Sequence, residues 1–119
     1  MTNKLTNEQK FILLEEGTES PGSSLLNEEK RDGSYHCVGC GNKLFESNTK
    51  YESGSGWPSF FKSLPDVFET KKDYHLGYAR TEYHCKKCGG HHGHIFDDGP
   101  KPTGKRYCNN GICLVFKPK

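Results

Sequence analysis

One short pattern, Tyr-His-Cys-x-x-Cys-Gly, occurs twice in this chain, at Tyr35–Gly41 and at Tyr83–Gly89. It constrains the fold more than any other feature. A Cys-x-x-Cys pair supplies two thiolates that clasp one tetrahedral ion, and the Gly after the second Cys permits the tight turn in which backbone amides approach the sulfurs. Two copies fall short of the three or more that a stacked solenoid needs. They read instead as half-sites of one centre, with Cys37, Cys40, Cys85 and Cys88 around a single Zn2+. Four thiolates leave no open coordination position, so the ion is expected to be structural. The alternatives are free buried thiols or a redox-active Cys-x-x-Cys, and the latter expects a βαβ context that is absent here. His36 and His84, beside the ligands, read as solvated strand residues.

A metal is also what the composition demands. Leu, Ile, Val and Phe together fall below the roughly 20% of residues that marks a thin core, while the net charge of only +2 lacks the self-repulsion of a disordered chain. Structural zinc contributes on the order of 10 kcal/mol in small peptides, which offsets such a deficit. At 119 residues the length prior is one domain, 1–119. The 17 Lys and Arg are interleaved with 15 Asp and Glu, so no basic tract points to nucleic acid. The N-terminal MTNKLTNEQK is polar with no apolar run behind it, which predicts neither a secretory signal nor a membrane span. A cytoplasmic location is the expectation, and there cysteines serve as metal ligands or catalysts rather than in a disulfide framework. Nothing in the sequence points beyond a monomer.

Thr6-Asn7-Glu8-Gln9 has the form of a capping box ahead of Phe11, Leu13 and Leu14, predicting one short helix over 7–16. A single Ala among 14 Gly and 6 Pro argues for short strands and turns elsewhere. Candidate strands are Ser34–Cys37, Leu76–His84, His94–Phe96 and two flanking the turn-like Asn109-Asn110-Gly111. The fold class expected is all-β.

Two cysteines remain, Cys108 and Cys113. Cys108 follows His91-His92-Gly93-His94 and sits within Arg106-Tyr107-Cys108-Asn109-Asn110. A Cys near an imidazole and a guanidinium can be held as thiolate, the nucleophilic form. Arg106, Cys108 and Asn110 alternate, so on a strand they share one face. Each residue also has a plain reading: the histidines as surface residues, Cys108 as a small buried hydrophobe. In a third arrangement His91, His94 and Cys108 hold a second, catalytic metal. Trp57, in Gly54-Ser55-Gly56-Trp57-Pro58-Ser59-Phe60-Phe61, either packs in the core or is presented by a rigid loop.

These motifs, in this order, resemble the methionine-R-sulfoxide reductases: Gly17-Thr18-Glu19, the first Cys-x-x-Cys, Gly56-Trp57-Pro58-Ser59-Phe60, the second Cys-x-x-Cys, His91-x-x-His94-x-Phe96, Asp98-Gly99-Pro100 and Arg106-Tyr107-Cys108-x-Asn110. The resemblance spans nearly the whole chain. It implies two antiparallel sheets with a short N-terminal helix, zinc lying away from the active site, and reduction of the R epimer of methionine sulfoxide, free or in oxidised proteins and peptides. That reaction repairs a lesion that turns an apolar side chain polar. By the same resemblance Cys108 is the nucleophile and becomes a sulfenic acid. His94, with His91, protonates or hydrogen-bonds the sulfoxide oxygen, and Asn110 assists. Arg106 favours the thiolate, Trp57 contacts the substrate methyl group, and Phe96 joins it in substrate binding.

The sulfenic acid must return to thiol through a second cysteine and thioredoxin, or through another thiol reductant. Many members of the family carry that second cysteine two residues before the tryptophan, where this chain has Ser55. Cys113 is the remaining thiol. If Asn110-Gly111 turns a tight hairpin, Cys108 and Cys113 are cross-strand neighbours within disulfide reach; if Arg106 to Asn110 continues as one strand, they are far apart on opposite faces. Asn109 stands where an apolar residue is usual, and its side chain is expected to face away from Cys108.

Overall fold

The computed structural model describes residues 5–15, 17–18, 22, 24–74 and 77–119. Thr6 and Gln9 form the reciprocal cap that the sequence predicts: the Thr6 amide donates to Gln9 Oε1 (2.8 Å) and the Gln9 amide to Thr6 Oγ1 (3.2 Å). The helix they open, α1, runs Asn7–Glu15, and position 16 lies outside the described residues. Its Ile12 and Leu13 are buried against Cys113, with Val38 and Ile112 packed around them.

Nine strands follow among the described residues: β1 (Gly33–Cys37), β2 (Lys43–Glu46), β3 (Lys50–Tyr51), β4 (Ser59–Phe60), β5 (Phe68–Asp73), β6 (Arg80–Cys85), β7 (His91–Phe96), β8 (Arg106–Asn109) and β9 (Leu114–Pro118). They form a three-stranded sheet in the order β2-β1-β9 and a six-stranded sheet in the order β3-β4-β8-β7-β6-β5. Every pairing is antiparallel. The all-β expectation, two antiparallel sheets with one short helix, is borne out. No described helix is long and apolar enough to cross a membrane.

The core is aromatic and joins the two sheets. Phe45 of β2 stacks on Phe60 of β4 with centroids 4.0 Å apart and planes 9° off parallel, and Tyr35 of β1 meets Phe60 edge-on at 5.0 Å. Tyr83 and Tyr107 close the opposite side at 5.4 Å. Few aliphatic residues are needed when each ring buries so much area.

One strand expectation changes here, one strand was not foreseen, and one open alternative is decided. The strand predicted over Leu76–His84 begins at Arg80, because a turn at Gly77 (φ +80°), whose amide donates to the Tyr74 carbonyl, precedes it; Leu76 lies outside the described residues. β5 was not foreseen, since Glu69 to Lys72 are all polar and exposed; it is the edge of the larger sheet, where charge is how an unpaired ladder is protected. The tight hairpin is not formed. β8 and β9 belong to different sheets, and the chain passes between them through a 3-10 turn, Gly111–Cys113. The backbone and side-chain amides of Asn110 both donate to the His92 carbonyl (2.9 Å each), which turns the chain out of the larger sheet.

Candidate active site

The register of the larger sheet brings the predicted residues together. His94 lies opposite Cys108, Phe96 opposite Arg106, Cys108 opposite Ser59, and Glu82 opposite His94. Directly opposed residues share a face, as do residues two apart on one strand. Arg106, Cys108, His94 and Phe96 therefore stand on one face, while Tyr107 and Asn109 point into the core. Asn109 donates from Nδ2 to the Tyr83 hydroxyl (2.8 Å), and His92 Nδ1 lies 3.4 Å from its Oδ1. Burial pushes the His92 imidazole down to about 3, so it is neutral there.

A period-two strand places residues three apart on opposite faces, yet His91 and His94 meet at 5.7 Å between ring centroids. The cause is an irregularity in the β6–β7 register between Tyr83 and His84, which puts His91 opposite His84 and onto the face that carries His94.

Around Cys108 is a pocket of about 240 Å³ lined by Trp57, His94, Phe96, Arg106, Cys108 and Asn110. Ser55, Thr18, Gly93 and Arg80 complete its wall. His91 does not line it; only 1% exposed, its Nδ1 lies 3.7 Å from Glu82 Oε2, behind His94 as seen from the pocket. Trp57 is carried on a loop whose Gly54 (φ +75°) and Gly56 (φ +91°) adopt backbone conformations that other residues resist. Asn27 Nδ2 pins the Gly56 carbonyl (3.0 Å), and the Asn109 amide pins that of Pro58 (3.0 Å). Ser55, at the position of the absent second cysteine, shares hydrogen bonds with Ser53 (2.8 Å) and Ser59 (3.5 Å).

Asp73 and Arg80 were not singled out from the sequence. The Asp73 carboxylate, 7% exposed, accepts from His94 Nε2 and from an Arg80 terminal nitrogen, each at 2.7 Å. They face each other across β5 and β6. The available signal was their alternation with Lys71 and with Glu82, hidden by the polarity of β5.

Arg106 is doubly held. Its Nε and a terminal nitrogen donate to the two Asp98 oxygens (2.8 and 3.2 Å), and its guanidinium lies 4.3 Å from the Phe96 ring centroid. The Asp98 hydrogen bond, then the charge of Asp98 and the Cys108 sulfur, raise its already high affinity for a proton. A fixed positive charge thus stands beside Cys108.

Apart from the pocket, the four knuckle cysteines come within 4.8 Å of one another. Cys37 is the last residue of β1 in one sheet and Cys85 the last of β6 in the other, with Cys40 and Cys88 in the turns that follow. Cys37 and Cys88 sulfurs are 3.7 Å apart, and Cys40 and Cys85 sulfurs 3.6 Å. An ion with bonds of about 2.3 Å to four tetrahedral sulfurs sets them about 3.8 Å apart, so these residues fit a metal. A hydrogen bond from Cys37, joined by the Cys88 and Lys87 amides, holds the Cys85 thiol below its ordinary range against the effect of burial. His92 Nε2 approaches Cys37 Sγ at 3.3 Å.

Two further groups of donors come equally close among the described residues: Glu82, His84 and His91, and Asp73, Glu82 and His94. His91, His94 and Cys108 do not form such a group. His84, expected to be solvated, has a side chain only 18% exposed, next to Glu82. Cys113 is fully buried in the α1 cluster, its Sγ 3.8 Å from the His91 carbonyl, and does not line the pocket.

The chain is similar to known proteins over almost its whole length. Residues 5–118 match the SelR domain family. The chain is 50% identical over 114 residues to the peptide methionine sulfoxide reductase MsrB of Pseudomonas putida strain W619, covering 94% of this chain and 85% of that protein. It is 51% identical over 115 residues to MsrB of Leptospira interrogans serovar Lai, covering 96% and 88%. With MsrB of Methanosarcina barkeri strain Fusaro it shares 49% identity over 114 residues, covering 95% and 80%. With motifs, pocket and near full-length identity all in accord, the chain belongs to the MsrB family of peptide methionine sulfoxide reductases.

Proposed function

We propose that this chain, acting as a single domain, reduces the R epimer of methionine sulfoxide, in oxidised proteins and as the free amino acid, by way of a Cys108 sulfenic acid. The observation that carries the reading is the rung on which His94 faces Cys108, inside a pocket walled by Trp57 and Phe96. The Cys108 thiolate attacks the sulfoxide sulfur. One proton is taken up, the oxygen passes to Cys108 as Cys–S–OH, and methionine leaves with the electron pair. His94 spends Nε2 on Asp73, which leaves Nδ1 to give the proton to the departing oxygen; an imidazole suits this role near neutral pH. Arg106 favours the thiolate, Asn110 hydrogen-bonds at the pocket wall, and the Trp57 face takes the S-methyl group. His91 supports His94 from behind rather than touching substrate.

The sulfenic acid then condenses with an external thiol, releasing water, and a second thiol frees Cys108. Thioredoxin or a small dithiol supplies both. The burial of Cys113 and the serine at position 55 support direct reduction over an internal disulfide. The four knuckle cysteines hold one structural Zn2+, which fits the thiolate set and its spacing. A monomer in the reducing cytoplasm, with no nucleic acid or membrane partner, suits the six unbridged cysteines and the near-neutral charge.

The test is turnover of each epimer with dithiothreitol as reductant. Selective use of the R epimer, abolished in Cys108→Ser with zinc content retained, is the expected outcome. Equal activity in Cys108→Ser, or preference for the S epimer, overturns the reading.

A further inference from the structure

We propose that Glu82, His84 and His91 form a second metal site, one for a divalent cation of the zinc class whose binding inhibits the reductase. The inhibition rests on the role of His94 given above; the site itself does not.

Glu82 and His91 are 2% and 1% exposed, yet the atoms that face each other in this cluster are too far apart for hydrogen bonds. Glu82 Oε2 is 3.7 Å from His91 Nδ1, and Oε1 is 3.8 Å from His84 Nε2. Those spacings suit one shared ion. Ligands about 2.1 Å from a tetrahedral zinc lie about 3.4 Å apart; both carboxylate–imidazole spacings are within a few tenths of an ångström of that, and all three donors lie within 4.8 Å of one another. Two imidazoles and one carboxylate are a donor set suited to zinc, with the fourth position left to water. The frame is rigid: Glu82 and His84 are two apart on β6, and His91 lies opposite His84 on β7. His84, 18% exposed, gives the ion its way in.

Lys71 is the internal competitor. It lies opposite Glu82 on β5, with Nζ 3.3 Å from Oε1, and neutralises the carboxylate when no ion is bound. Its side chain is 57% exposed, so it can swing into solvent as a cation enters. Glu82 is also within 4.8 Å of the nearest donor atoms of Asp73 and His94. An ion placed there draws on the carboxylate that lies against the Asp73–His94 hydrogen bond, and so disturbs the contact that orients the ring facing Cys108, while Cys108 stays uncoordinated.

The probe is Zn2+ added to the reduced, zinc-loaded protein without free thiol, which would chelate it. Stoichiometry is read by equilibrium dialysis with elemental analysis. Inhibition is read as the rate of the single methionine formed per chain in the absence of added reductant. A second equivalent is expected to bind and slow that single turnover. His84→Asn should weaken the second equivalent by more than about tenfold, as loss of a ligand does, leave the first zinc and the zinc-free rate unchanged, and relieve the inhibition. Lys71→Gln should tighten binding, and Cys108→Ser should leave it intact. Absence of a second equivalent, or unchanged affinity in His84→Asn, overturns the site. Loss of the second equivalent in Cys108→Ser also overturns it, because the ion would then sit on the catalytic thiol. Binding through His84 without slowed turnover overturns the inhibitory role and counts against His94 as proton donor, while the site stands.

Discussion

In the role proposed for it, His94 needs its ring held with one nitrogen toward Cys108, and the residue that holds it is Asp73. A carboxylate accepting from Nε2 fixes both tautomer and orientation, while Arg80 offsets the carboxylate's own burial. Asp73→Asn keeps the shape and removes the charge. It is expected to lower kcat about tenfold to a hundredfold, within or below the range for a misplaced general acid, with an unchanged circular dichroism spectrum. Arg106 permits a separate measurement. Its hydrogen bond holds the Asp98 carboxyl below the usual carboxylate range. A depressed carboxylate favours the folded state at pH above its ordinary value, and that contribution fades as pH falls through the folded value. In Arg106→Gln an NMR titration of Asp98 should move up to the ordinary carboxylate range. Asp73 escaped sequence analysis because a lone Asp in Lys-Lys-Asp looks like any solvated charge, whereas Cys108, His94 and Arg106 announced themselves by chemical type and spacing.

At the scale of the element, β7 and β8 must lie close enough for their side chains to act together, and Gly93 makes this possible. A Cβ at Gly93 would overlap the Cys108 carbonyl oxygen. Gly93→Ala should therefore part the two strands, with a loss of at least about 2 to 3 kcal/mol in denaturant unfolding and near-complete loss of turnover. The Trp57 loop offers the converse, a gain. Ser55 and Cys108 line one pocket, so Ser55→Cys is expected to trap the sulfenic acid as a disulfide, with two thiols lost per turnover by mass spectrometry where the parent chain loses one. The capping box, the knuckle turns and the alternation on β8 were legible because each is a local rule acting over a few residues. The β6–β7 irregularity that turns His91 toward His94 was not, since register depends on a partner strand. The same holds for the Asn110-Gly111 segment, where a turn signal is read the same way whether the strands beyond it pair or part.

Across the whole molecule, one cluster of four sulfurs ties the smaller sheet to the larger. Removal of the metal with a strong chelator is expected to abolish cooperative unfolding, since an ion contributing on the order of 10 kcal/mol is comparable with the whole net stability of a domain, roughly 5 to 15 kcal/mol. Near-ultraviolet circular dichroism against zinc content measures it; a native spectrum at zero zinc would sink the expectation. The two-sheet class was readable from glycine, proline and cysteine usage. The strand order was not, because it is set by contacts between distant segments. The central strand of the smaller sheet, β1, pairs on one side with β9, about 80 residues further along, a separation that slows folding. During synthesis, Tyr35 and its knuckle must wait beside a half-built sheet until β9 has emerged, so ion capture by Cys37 and Cys40 can precede the pocket. Under the proposed roles all four metal ligands, the last of them Cys88, emerge before Cys108, so the ion can be held before the nucleophile is made.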